Sequence, residues 1–188
     1  MILLRVFALW ISAAVLTTGL SMTEAGAQEV VLSFAPFTPT PTNGVWFESD
    51  VQAGGAASTE DLTGLGGNLE TDQPLPIGAA LLTTGFSNDD KAEVGVTDSY
   101  GLTQDIFATL ELFYSYYKAG NPGQNASAAP SLRLAIYNPV CDDVASGGDC
   151  YGQLVYEPYW NIAPPAAPPV PTDEWRDVAI DGDINIPM

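Results

Sequence analysis

Short runs that alternate apolar and polar residues recur along this chain, and their period of two predicts strands rather than helices. The clearest is FATLELFYSYYK at 107–118. Leu110, Leu112, Tyr114 and Tyr116 fall on one face, and Thr109, Glu111, Phe113, Ser115 and Tyr117 on the other. SLRLAIY at 131–137 alternates as cleanly, with Leu132, Leu134 and Ile136 inward and Arg133 outward. Further β-type runs are VVLSF (30–34), VWFESDV (45–51), IGAALLTT (77–84), KAEVGVT (91–97), QLVYEPYW (153–160) and WRDVAID (175–181), with a weak INI at 184–186. The third and fourth of these eight runs in chain order are joined by Gly85-Phe86-Ser87-Asn88-Asp89-Asp90, a turn composition. Only SYGLTQDI at 99–106 predicts a helical turn or two. Eight or nine short strands punctuated by Gly, Pro and Asn predict an all-β sandwich of jelly-roll type, with residues 44–188 as its single domain.

The pattern breaks in four places. Residues 1–27 carry one early charge, Arg5, then an apolar run from Val6 to Leu20, and close on Ala25-Gly26-Ala27. That is the layout of a secretory signal peptide with a small-residue cleavage site, so the mature chain is expected to begin at Gln28. An uncleaved anchor is the alternative; an apolar stretch of roughly 15 residues is short for a span of about 20. No Cys follows the cut, which argues against a lipid anchor there. Residues 35–43, APFTPTPTN, complete an extended Pro/Thr-rich lead over 28–43. Residues 53–76 are rich in Gly, Thr and Asp and predict a long surface loop. Residues 163–172, APPAAPPVPT, predict a polyproline connector.

Charge and composition narrow the chemistry. The formal net charge is −18, and it stays there after loss of Arg5 and Glu24, which leaves four basic and 22 acidic residues. Such a surface repels phosphate backbones and anionic membranes, so no nucleic-acid partner is expected, nor a membrane span in the mature chain. Histidine is absent. That removes Ser-His-Asp and Cys-His nucleophile systems and the usual catalytic zinc sites. Any catalysis would fall to carboxylates, Tyr or Lys. Cys141 and Cys150 bracket CDDVASGGDC, which in an exported chain predicts one structural disulfide. A loop of that size is stabilised by roughly 2–3 kcal/mol in the chain-entropy view.

The order of segments also resembles a family. GAALLTTG with NDDKAEV (78–94), LELFYSYYKAG (110–120), AAPSLRLAIYNP (128–139), LVYEPYWN (154–161) and DEWRDVAI (173–180) are similar to uncharacterised secreted bacterial domains. These are of concanavalin-like or jelly-roll sandwich type, some found in exported proteins with a PEP-CTERM-type sorting tag. The likeness covers roughly residues 44–185 and lies in strand patterns, not catalytic signatures. It implies the sandwich fold. No Pro-Glu-Pro, apolar helix and basic tail is printed here, so sorting by that tag is not expected.

Three kinds of site can be weighed. Glycoside hydrolysis needs two carboxylates, and Glu111 and Glu157, both in aromatic strands, are the best pair. The E-x-D-x-x-E arrangement of sandwich-fold glucanases is absent, and each acid is equally an outward strand residue or a partner for Arg133 or Lys118. Sugar binding needs flat aromatic faces, for which Tyr117, Tyr137, Tyr156, Tyr159 and Trp160 are candidates, with Tyr114 and Tyr116 beside them. The alternative for each is core packing. Calcium needs clustered oxygens. Glu48 and Asp50 could meet Asp181 and Asp183, because first and last strands of a jelly roll often lie close; Asp89-Asp90 and Asp142, Asp143 and Asp149 are further clusters. Turn formation is the alternative there. Gly64-Leu65-Gly66-Gly67 lacks the strand and helix of a phosphate cradle. Asn125-Ala126-Ser127 is a formal glycosylation sequon. The expectation is a secreted, non-catalytic domain that binds extracellular polysaccharide or a surface or matrix component. The alternative is a carboxylate-dependent glycoside hydrolase or lyase.

Overall fold

The computed structural model describes residues 2–6, 31–75, 78–87, 89–107, 110–137, 151–158 and 170–181, the side chains of residues 2–6, 104, 107 and 181 excepted. In chain order the elements are β1 (Ile2–Val6), β2 (Phe47–Glu48), β3 (Ala56–Glu60), α1 (Gly67–Thr71), β4 (Ala79–Thr83), β5 (Val94–Gly95), α2 (Thr103–Phe107), β6 (Glu111–Lys118), β7 (Leu132–Tyr137), β8 (Tyr151–Tyr156) and β9 (Trp175–Asp181). Among the described residues the chain is mostly strand, with two five-residue helical elements, an all-β protein. Among the described residues no helix is long and apolar enough to cross a membrane.

The strands form an antiparallel sheet in the order β3-β4-β1-β6-β9 and two antiparallel pairs, β2-β5 and β7-β8. β6 dominates because both of its faces are buried over its second half, Ser115–Lys118. Leu112, Tyr114 and Tyr116 join Leu82, Leu110, Val170, Val178 and Ile180 in the main core, against which Val94, Leu132, Leu134 and Tyr156 also pack. On the other face Tyr117 meets Leu62, with Leu69, Leu81 and Trp175 around them. Each fully buried aromatic or aliphatic side chain is worth about 1.5–3 kcal/mol. The expected split of faces along 110–117 therefore describes two distinct cores.

Three strand expectations change. VVLSF does not form a strand over 31–34. Leu32 is 82% exposed, and a parallel bridge joins Ala35 to Phe47 just after it. The runs at 45–51 and 91–97 shrink to two paired residues each. Gly44 donates to Thr97 and Gln52 to Lys91, each one residue out of the β2-β5 register, so the ladder is interrupted on both sides. The loop expected over 53–76 contains the edge strand β3 and the turn α1. Here Gly64 and Gly66 donate to the Glu70 carboxylate (2.9 and 2.8 Å), and the Trp175 indole donates to the Leu69 carbonyl (3.2 Å).

Residues Ile2–Val6 occupy the middle of the large sheet. β1 pairs with β4 on one side and β6 on the other, antiparallel to both.

Candidate functional site

β7 and β8 pair residue for residue from Leu132–Tyr156 to Tyr137–Tyr151. Their alternation turns Leu132, Leu134 and Tyr156 toward the core and leaves Arg133, Ala135, Tyr137, Tyr151, Gln153 and Val155 exposed. In register, the outer face thus carries Tyr137 beside Tyr151, Ala135 beside Gln153 and Arg133 beside Val155. Tyr137 is 71% exposed and Tyr151 51%, with ring centroids 5.1 Å apart and planes tilted by 50°. The Gln153 amide donates to the Tyr151 phenol oxygen, and the Arg133 guanidinium pairs with Glu93 (3.4 Å). Two open aromatic rings, an amide and a guanidinium therefore lie along one exposed ribbon. Aromatic faces take the apolar C–H side of a sugar, and amide or guanidinium groups bond its hydroxyls.

Of the other candidate aromatics, Tyr117 is 7% exposed and meets Trp175 edge-on at 5.6 Å, so its ring has no free face. This corrects the expectation that it binds a ligand: both faces of β6 are covered, and Tyr117 serves the smaller core. Tyr114 and Tyr116 are buried as well, and the Tyr114 hydroxyl donates to the Pro130 carbonyl (3.0 Å). Burial pushes the phenols of Tyr114, Tyr116 and Tyr156 up from their ordinary value. Tyr156 is half-buried against the main core, a site better suited to packing than to stacking. Tyr159 and Trp160 lie outside the described residues, as do Cys141 and Cys150. Tyr151 escaped the sequence reading because Gly152 cuts its run short. The signal was its place: Tyr137 and Tyr151 end the two runs that flank the cysteine-bearing segment.

The two candidate carboxylates sit in different surroundings. Glu157 lines a recess of about 400 Å³ with Asn125, Ser127, Ala128, Ala129, Ser131 and Pro158. Glu111 is not among its lining residues; it opens β6, exposed, directly across from Asp181. Arg133 pairs with Glu93, and the Lys118 ammonium, 1% exposed, donates to the Asn125 and Ala126 carbonyls at 2.9 Å each. Burial lowers the Lys118 pKa.

The proposed calcium set is dispersed among elements. Glu48 is in β2, Asp181 ends β9 in another sheet, and Asp183 lies outside the described residues. Asp50 accepts hydrogen bonds from Lys91 and Gln52 (the latter 3.1 Å), which hold its carboxyl below the usual range. This commits Asp50 to an ion pair, not to a metal. Lys91 also meets Glu93 (3.2 Å), so Asp50, Lys91, Glu93 and Arg133 form one chain of charges from the β2-β5 pair to β7. Asp90 accepts from the Ser87 amide (3.0 Å), the turn-forming role open to it in the sequence. Among the described residues no group of three or more His, Cys, Asp or Glu is placed to hold a metal ion. No protein-family model, curated protein or solved structure matches this chain.

Proposed function

We propose that this chain is an exported, non-catalytic β-sandwich of jelly-roll type that binds extracellular polysaccharide on the outer face of β7-β8. The observation that carries the reading is the open Tyr137–Tyr151 pair with Gln153 and Arg133 in the same ribbon. Exposed aromatics of this size are costly to leave in water without a partner, and a sugar ring covers them while its hydroxyls meet the polar neighbours. The fold supports the sandwich reading in part, because side chains of β5, β7 and β8 pack on the same core as the large sheet. Export rests on the leader pattern of residues 1–27, with cleavage between Ala27 and Gln28.

The alternative is a carboxylate-dependent glycan-active enzyme. Its support is Glu157, set in a recess with Asn125, Ser127 and Ser131. The experiment that separates the two is incubation of the exported chain with a polysaccharide panel, reading retention and new reducing ends together. Retention lost in Tyr137→Ala and Tyr151→Ala, with no new reducing ends, is the expected result. Reducing ends that appear with the wild type and vanish in Glu157→Gln would establish the enzyme instead.

A further inference from the structure

β1 is drawn from the leader, yet it lies between β4 and β6 in the interior of the sheet. Removal of residues 1–27 takes that strand away. The facing N–H and C=O groups of β4 and β6 then lose their partners, and unpaired backbone groups inside a fold are costly. The gap demands a strand of about five residues.

We propose that residues 30–34 enter this gap once the leader is cut, in the register that Ile2–Val6 holds before it. The inference rests on the cleavage at Ala27–Gln28 proposed above. Its first support is a match of pattern. ILLRV (2–6) and VVLSF (30–34) share one order: three apolar residues, one polar, one apolar. Positions 2, 4 and 6 stand in the rows of Leu82 with Lys118, of Ala80 with Tyr116, and of Tyr114, and apart from Lys118 these are members or neighbours of the main core. Val30, Leu32 and Phe34 bring apolar residues to those rows. Ser33 comes to the row of Ser115, whose hydroxyl donates to Asp177 (2.6 Å), where a polar residue is in keeping.

The second support is position. The Thr59 hydroxyl donates to the Leu32 carbonyl (2.7 Å), Thr59 pairs with Ala80, and Ala80 pairs with Leu4. Leu32 therefore touches, at Thr59, the same row that Leu4 occupies, and Thr59 stands two strand spacings, about 10 Å, from Leu4. The third is exposure: residues 31–34 belong to no strand, and Leu32 lies open to solvent while the place that suits it is filled. Hydrolysis of the Ala27–Gln28 peptide bond by the exporting host's signal peptidase, consuming one water, is the sole covalent step. The rest is exchange of one strand for another, which adds main-chain hydrogen bonds to both neighbours.

The test is amide hydrogen exchange, residue by residue, on the chain recovered after export, with its intact mass measured first. A mass beginning at Gln28, with the amides of Val31–Phe34 exchanging at least a hundredfold slower than open chain, is the expected result. Leu32→Pro, which removes a ladder donor, then releases the slot-facing amides of Ala79–Thr83 but not the bond from Ala35 to Trp46. If Leu32→Pro fails to fold, the wild-type exchange decides. A mass that retains residues 2–6 overturns both the cleavage and the exchange. Correct cleavage with Val31–Phe34 exchanging as open chain overturns the exchange and spares the cleavage. Protection that disappears on dilution, together with a dimer in sedimentation, assigns the gap to a second copy and also overturns it.

Discussion

The Lys118 ammonium group lies 2.9 Å from the carbonyl oxygen of Ala126, at the buried end of the longest strand. The Ala126 carbonyl also accepts from Val170, so one oxygen joins β6, the 121–129 loop and the approach to β9. Lys118→Ala removes the packed methylenes and both carbonyl contacts, and a loss of about 2–4 kcal/mol is expected in urea unfolding. Lys118→Met keeps the stem and should lose less than half as much. Equal losses in the two variants would contradict this role.

Alkaline pH should unfold the protein through its tyrosines. Burial raises the phenol pKa of Tyr114, Tyr116, Tyr117 and Tyr156 in the folded state. A raised folded value means that the stabilisation is full below the ordinary value near 10 and is lost as pH rises beyond it. Tyrosinate absorbance from these four rings should therefore rise together with loss of the strand signal. A single early step with the fold intact would contradict the burial of these rings.

Acid should act through Asp50. Its folded pKa is depressed, chiefly by the Lys91 hydrogen bond and then by Gln52. The stabilisation is present above the ordinary carboxylate value near 4 and is lost as pH falls through the lower folded value. Asp50→Asn should flatten the stability profile below pH about 4, while its cost at neutral pH stays under about 1 kcal/mol, because both partners are part-exposed. Unfolding melts across pH 2–7 for both chains check this.

Gly55 has no room for a side chain. A Cβ there would stand 1.8 Å from the Lys91 carbonyl oxygen, a backbone atom that moves only with the β2-β5 region. Gly55→Ala is expected to cost about 1–3 kcal/mol, the range of overpacking. Gly64→Ala meets no neighbour, but its φ of +82° strains the backbone, so its cost is backbone alone and about 1 kcal/mol. Comparison of the two melting temperatures separates contact from conformation.

How far the sequence can be read depends on which force dominates each segment. WRDVAID at 175–181 became β9 without change of bounds, because its alternation agrees with a long antiparallel partner. In FATLELFYSYYK, Phe107 belongs to α2 (Thr103–Phe107) and β6 begins at Glu111, residues 108 and 109 lying outside the described residues. β3 was hidden, since AASTE has no apolar alternation and is held by pairing with β4 alone among the described strands. VVLSF read as a strand and is none here, and ILLRV read as leader and forms one. The two segments share one order of apolar and polar residues, so the local pattern alone does not tell which of them enters the sheet. In the candidate site, Tyr137 was legible from its period-two position. Tyr117 shares that kind of pattern and is buried, because nothing local tells a strand with one covered face from a strand with two.

Binding itself tests the account most directly. Titration of the wild-type chain, Tyr137→Ala and Tyr151→Ala against the polysaccharide that the panel retains best should show at least about a tenfold loss of affinity in each variant, some 1.4 kcal/mol. Melting temperatures should be almost unchanged, because both rings are open to solvent. Retention that is identical in all three chains, or no retention of any polysaccharide by the wild type, would contradict the account.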